Sequence, residues 1–170
     1  MKSYVFTVIV IISIILLLNV PMFDKFTISN GKTGKIVYID DIDNVKEFTV
    51  SFRHSVNRTP VNEFIKIQGK KFIVYKTTFY SYGAGMPEFD ASGKQKVTIE
   101  KGLVQIENID RELECFAYLV GTYADHTLSY KDMSMKLSEL IEPQNPAFFS
   151  VSKVTPFELI KYLINDKPKK

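Results

Sequence analysis

Tryptophan is absent from this 170-residue chain, cysteine occurs once and histidine only twice. The single thiol, Cys115, rules out an internal disulfide and any multi-cysteine zinc site. Its neighbours, Leu113-Glu114-Cys115-Phe116-Ala117-Tyr118, read as a strand, and the expectation is a buried, inert thiol. A large charge of one sign is also missing: 22 basic and 19 acidic residues leave +3. The basic residues are dispersed except in Lys167-Pro168-Lys169-Lys170, so nucleic acid is not an expected partner. That tail reads as solvated, with weak attraction to anionic lipid as the alternative. Internal repeats and low-complexity tracts are lacking too.

What the chain does have is aromatic and apolar content. There are 13 Phe and 9 Tyr, and hydrophobic residues make up 45% of the total. The length suits one domain, and the aromatic and β-branched enrichment favours strands. The longest apolar stretch lies at the N-terminus, where no charge occurs from Ser3 to Phe23. A helix of about 20 such residues spans the ~30 Å hydrocarbon core of a bilayer. The run is followed by Asn19-Val20-Pro21-Met22-Phe23-Asp24, which offers neither the small residues of a cleavage site nor a lipidated cysteine. The reading is an uncleaved, signal-like anchor over residues 1–24. Lys2 favours a cytoplasmic N-terminus, although Lys25, Lys32 and Lys35 weaken that argument. The remainder is expected outside the cytoplasm, as a single-pass protein of the cell membrane.

Residues 25–154 read as a β-domain. Lys46–His54 is the clearest strand: Phe48, Val50, Phe52 and His54 alternate with Glu47, Thr49, Ser51 and Arg53. Hairpins are predicted for 61–78 around Gly69-Lys70 and for 96–107 around Lys101-Gly102. Further strands are predicted at 35–39, 112–120, 126–130, 133–140 and 148–154. Many short strands at close spacing predict an all-β sandwich or barrel. The aspartates at 40, 41 and 43 lack the glycine and distal glutamate of a calcium loop and read as a solvated turn. Residues 155–170 form a different unit. Thr155-Pro156-Phe157-Glu158 is a capping-box pattern, and Phe157, Ile160, Leu163 and Ile164 share one side of a short amphipathic helix. That side is expected to pack on the β-core, with docking on a membrane or partner as the alternative.

Three segments carry the chemistry the chain could perform. They are His54-Ser55-Val56-Asn57-Arg58-Thr59-Pro60-Val61-Asn62-Glu63, Gly83-Ala84-Gly85-Met86-Pro87 and His126-Thr127-Leu128. Glu63 would face the same way as Val61 and Ile65, and a carboxylate there needs a buried partner. His54 is the proposed partner, joined by Arg58 or His126. His54 and Ser55 are adjacent and would point to opposite faces, which is unsuited to a nucleophile–base pair. Gly83-Ala84-Gly85 could offer backbone donors to an anion, yet neither a nucleophile elbow nor a phosphate loop is present. Two histidines with Glu63 could hold zinc, but without any local spacing signature. No catalytic residue, metal ligand or cofactor is assigned. The candidate ligand-binding set is His54, Ser55, Arg58, Thr59, Glu63, Gly83, Ala84, Gly85 and His126.

These segments, in this order, resemble the bacterial family designated domain of unknown function 1850. The resemblance runs from about Phe48 to Leu140. It departs where many members carry Arg after the last histidine and this chain has Thr127. It implies an N-terminal membrane segment and association with TRAP transporters of the type that uses a TAXI solute receptor. The implied role is that of an accessory or binding module contacting the receptor or a permease subunit of an organic-anion transporter. Two alternatives stand beside it. One is a small hydrolase or metal-dependent enzyme using His54, Glu63 and His126, which requires the three to converge in a cleft. The other is that the motifs only specify the fold.

Overall fold

The computed structural model describes residues 2–80 and 93–166. Helix α1 (Lys2–Leu18) comes first, followed by strands β1 (Phe23–Asn30), β2 (Ile36–Asp40), β3 (Glu47–Arg53), β4 (Pro60–Gln68) and β5 (Lys71–Phe79). Then come β6 (Lys96–Glu100), β7 (Leu103–Leu113), β8 (Cys115–Leu119), β9 (Thr127–Tyr130), β10 (Met133–Lys136) and β11 (Pro146–Val154), before helix α2 (Pro156–Lys161) closes the fold with a π-turn, Tyr162–Asp166. The strands form two antiparallel sheets, one of four in the order β2-β1-β11-β8 and one of seven in the order β10-β9-β3-β4-β5-β7-β6. The protein is thus an all-β sandwich.

Alternation explains the layers. Phe26 and Ile28 of β1, with Ala147 and Phe149 of β11, turn inward from the smaller sheet and are fully buried. Phe48, Val50, Ile65 and Phe72 meet them from the larger one. Phe149 stacks on Phe116 with centroids 4.7 Å apart and is nearly parallel to Phe48 at 6.3 Å. Burying each such ring contributes roughly 1.5–3 kcal/mol. The larger sheet outreaches the smaller, and Val61, Phe79, Val104 and Ile106 form a second, smaller cluster under its far strands. The β6–β7 hairpin turns through Lys101 (φ 48°) and Gly102 (φ 83°), the left-handed pair a tight hairpin needs.

Several expectations are corrected. Strand β1 lies where residues 23–30 were given no strand, and it is central to the smaller sheet, pairing with both β2 and β11. The strand expected over 112–120 is broken at Glu114 between β7 and β8. Cys115 is exposed, not buried, because β8 turns Phe116 and Tyr118 inward and Cys115 outward.

Helix α1 presents every side chain from Tyr4 to Leu17 to the outside. It has 17 residues, and at 1.5 Å per residue that is about 25 Å, less than the ~30 Å of a hydrocarbon core. No helix among the described residues is both long and apolar enough to cross a membrane. At the other end, the capping box is present as expected: Thr155 Oγ1 accepts from the Glu158 amide at 3.0 Å, and the Glu158 carboxylate accepts from the Thr155 amide at 2.8 Å. The packing of α2 is the reverse of the expectation. Tyr162 is buried and Leu159 half-buried, while Phe157, Ile160, Leu163 and Ile164 are 48–74% exposed.

Candidate functional site

The first motif begins as β3 runs out. The His54 amide donates to Thr59 O at 2.9 Å and the Arg58 amide to His54 O at 3.0 Å, so residues 54–59 close a compact turn. The His54 ring is buried within it, and its Nδ1 accepts from the Val56 and Asn57 amides at 3.3 Å each. As an acceptor, Nδ1 carries no proton. The imidazole therefore holds the loop that contains it. Arg58 sits at φ 56°, a left-handed conformation that costs a side-chain-bearing residue roughly 1–2 kcal/mol. The turn's own bonds hold it there.

Glu63 enters the interior from β4, flanked across the ladder by Val50 and Thr77. Its carboxylate accepts a short hydrogen bond from the Tyr118 hydroxyl. Tyr118 belongs to the other sheet, so this bond ties the two layers together. Burial, reinforced by the Glu63 charge, pushes the Tyr118 hydroxyl far above its ordinary pKa and keeps it a donor. Arg111 Nη2 stands 3.9 Å from the carboxylate, and that side chain is 58% exposed, so it adds little. Glu63 thus pairs with Tyr118 and Arg111, not with His54 as the sequence reading expected.

His126 closes the same end of the sandwich. Its ring packs between Phe52 and Tyr118, with centroids 5.2 and 5.3 Å away. Burial holds its pKa below the ordinary value, against a smaller opposing effect of Asp125. Two buried polar atoms here, His126 Nδ1 and Thr77 Oγ1, have no hydrogen-bond partner among the described residues. A buried imidazole tilted against two rings and a tyrosine-bound carboxylate do not make an acid–base pair open to a substrate.

The rim is different. Arg53 and Arg58 both lie against the Tyr123 ring, 5.6 and 5.8 Å from its centroid. All three are exposed, as is Ser55, while Thr59 is half-buried. Neither guanidinium forms an ion pair among the described residues. The Arg53 amide donates to Ala124 O at 2.7 Å, which fastens the 121–126 loop beside the 54–59 turn. The second motif, including Gly83, Ala84 and Gly85, lies outside the described residues. The strand leading to it ends at Phe79, paired with Val61, at this same end. Arg53, Tyr118 and Tyr123 were missed by sequence reasoning. For Tyr118 a signal existed, since it shares strand parity with the apolar Phe116.

A second polar cluster lies apart from the motifs. Asp40 accepts hydrogen bonds from Tyr38 at 3.1 Å, Asn44 at 3.0 Å, the Asp41 amide at 2.7 Å and, at shorter range, Tyr130. Burial opposes its ionisation, but these donors together outweigh it and hold the carboxyl below its ordinary pKa. The aspartate segment is therefore not a merely solvated turn. Asp41 and Asp43 are exposed, whereas Asp40 lines an open pocket of ≈850 Å³ with Tyr38, Tyr130 and Tyr162. No group of three acidic, histidine or cysteine side chains among the described residues is arranged to hold a metal ion.

These features define a β-sandwich domain whose first and third motifs meet at one rim, some residues inward as struts and others outward. A family model described as "Domain of unknown function (DUF1850)" matches residues 48–137, just over half of the 170-residue chain. The chain belongs to that family. No curated protein and no solved structure matches it. The matched span runs from β3 through β10 and includes all three motifs, so the rim described above is built almost wholly from family sequence. Helix α1, strands β1, β2 and β11 and helix α2 lie outside it.

Proposed function

We propose that this protein is a membrane-anchored, extracytoplasmic accessory or binding module that works beside a TAXI-type TRAP transporter of organic anions. The observation that carries the anchor is α1, a helix whose apolar side chains are all outward and which leads within five residues into the sandwich at Phe23. Its 17 residues are fewer than a helix needs to cross the full hydrocarbon core, and the uncharged stretch continues from Asn19 to Phe23. Local thinning of the bilayer accommodates such a mismatch at modest cost. The transporter association follows from the family resemblance. The rim supplies the chemistry for it: two guanidiniums braced on one tyrosine suit a carboxylate, on a solute or on a partner's surface.

Capture from detergent extracts tests the proposal. Full-length protein, crosslinked and purified, is expected to bring down a TAXI receptor or permease subunit. The Arg53→Ala/Arg58→Ala double variant should bring down less. Recovery of neither subunit from the native protein would end the transporter reading.

For His54 and Glu63 themselves, the contacts favour the structural alternative. His54 secures its own turn and Glu63 links the sheets through Tyr118. The enzyme alternative needed His54, Glu63 and His126 in an open cleft, and both histidines are only 8% exposed. The motif reads as a frame that presents Arg53, Arg58 and Tyr123.

A further inference from the structure

The outward face of α2 has no protein partner among the described residues, and its place in the fold says what covers it. Phe157, Ile160 and Ile164 are 53%, 48% and 74% exposed. Phe157 and Ile160 lie three residues apart on one side of α2, and Ile164 follows in the π-turn that continues it. Buried Tyr162 and half-buried Leu159 hold the opposite side against the sandwich, Tyr162 with its ring 6.1 Å from Tyr38. The apolar face therefore points away from the body on a helix fixed in orientation.

The register puts this helix beside the exit of α1. Phe23, the first residue of β1, pairs with Val154, the last of β11, and the Met22 amide donates to Val154 O at 3.2 Å. Helix α2 begins two residues later, at Pro156. Val20, Met22 and Phe23, in the link from α1 to β1, are themselves 40–47% exposed. The charges next to this surface are of both signs, since Asp24 stands opposite Lys153 and is paired with Lys70, and Asp166 ends the π-turn. Lys153 and Lys161 are exposed, and the sequence runs on into Lys167-Pro168-Lys169-Lys170. The one acidic residue of α2, Glu158, is engaged in the capping box. Apolar side chains flanked by lysines on a short, oriented helix match the interface of an anionic bilayer.

We propose that α2 lies in the membrane interface as a second contact, with Phe157, Ile160 and Ile164 inserted among the lipids and Lys153 and Lys161 at the headgroups. This rests on the reading of α1 as an anchor. Together the two contacts would hold the end of the sandwich where β1 begins and β11 ends down on the lipid and fix the tilt of the domain, which a single tether would leave free.

The test uses full-length protein in phosphatidylglycerol/phosphatidylcholine vesicles. An environment-sensitive NBD probe is placed at Ile160→Cys or, separately, at Ile11→Cys, each in a Cys115→Ser background. Nitroxide-labelled lipids report depth. The Ile160 probe should be blue-shifted and quenched severalfold more by a shallow nitroxide than by a deep one, with the Ile11 probe showing the opposite preference. Replacing Phe157 and Ile164 by serine should return the Ile160 probe to an aqueous spectrum. Quenching at Ile11 with none at Ile160 would overturn the inference and leave the anchor standing. Quenching at Ile160 alone would uphold the interfacial contact and remove the anchor. Quenching at neither would remove both. A blue shift at Ile160 that rises with protein density and is insensitive to nitroxide lipid would assign the face to a second copy of the chain, and would also overturn the inference.

Discussion

Around Phe149 the interior of the sandwich is filled by rings and aliphatic side chains alone, whereas around His126 the same two sheets enclose a carboxylate and an imidazole, with Thr77 Oγ1 and the imidazole's Nδ1 lacking hydrogen-bond partners among the described residues. The first region derives its cohesion from area and shape. Phe149 is fully buried and packs against Phe26, Phe48, Phe116 and Tyr118. The second depends on directional contacts: Glu63 with Tyr118, and the 54–59 turn with His54. Dense apolar packing is the cheaper route to stability, since each buried polar group first loses water. Buried polarity at the motif end is therefore better explained by position than by stability. It fixes where one loop and one strand edge stand.

This contrast can be broken most severely at its apolar side. Phe149→Ala removes a ring from the middle of four others and should cost about 3–5 kcal/mol. Equilibrium denaturation in urea would show it as a lower midpoint. A loss well under 2 kcal/mol would mean that the rings slide together and fill the space, and that the centre is less tightly specified than its stacking indicates.

The polar side should respond less, and in a coupled manner. Tyr118→Phe keeps the ring but strips Glu63 of this donor, leaving a carboxylate 17% exposed with, among the described residues, only Arg111 at 3.9 Å. The expected cost is about 1.5–3 kcal/mol. Glu63→Leu removes the other partner. If the two groups act as a strut, the double variant loses less than the sum of the single ones. Additive losses would show that the bond contributes little and that Glu63 is there for another purpose.

How much of this was readable beforehand follows the same division. Strands β3 to β6, the hairpins at Gly69 and Gly102, and the capping box at Thr155 rest on local patterns, and they lie where those patterns put them; β7 instead runs on to Leu113, and the strand expected over 133–140 stops at Lys136, where a 3-10 turn over Leu137–Glu139 takes over. Strand β1 does not announce itself. Its inward residues Phe26 and Ile28 follow directly on a long apolar run, and Asp24 and Lys25 read as the boundary of an anchor. The partner of Glu63 lies 55 residues away on another sheet, and no sequence spacing encodes which strands will face each other. Helix periodicity identified the apolar side of α2 but could not tell whether that side meets protein. The buried contacts instead use Leu159 and Tyr162. Residue identity at the motif was legible; the division of its members between strut and rim was not.

The smallest effect expected at neutral pH concerns His126, and it separates the two regions by acid sensitivity. Its pKa is held down by burial, so the folded protein resists a proton that the unfolded chain accepts near pH 6.5. Between that value and the lower folded one the unfolded state binds more protons, so stability falls as pH falls. The contribution is fully present above about pH 7 and is lost progressively as the solution is acidified. Asp40 has the same sign in a lower window, since its depressed carboxyl pKa loses its contribution only as pH drops below the ordinary carboxylate range near 4. His126→Phe keeps a ring between Phe52 and Tyr118 and removes Nδ1, which has no hydrogen-bond partner among the described residues. At pH 7.5 it should change stability by less than about 1.5 kcal/mol. Measured by urea denaturation from pH 7.5 to 5, the native protein should weaken and the variant should stay nearly level, the two converging or crossing on the acid side. Parallel decline of both would place the titrating group elsewhere and leave His126 as no more than a ring in the stack.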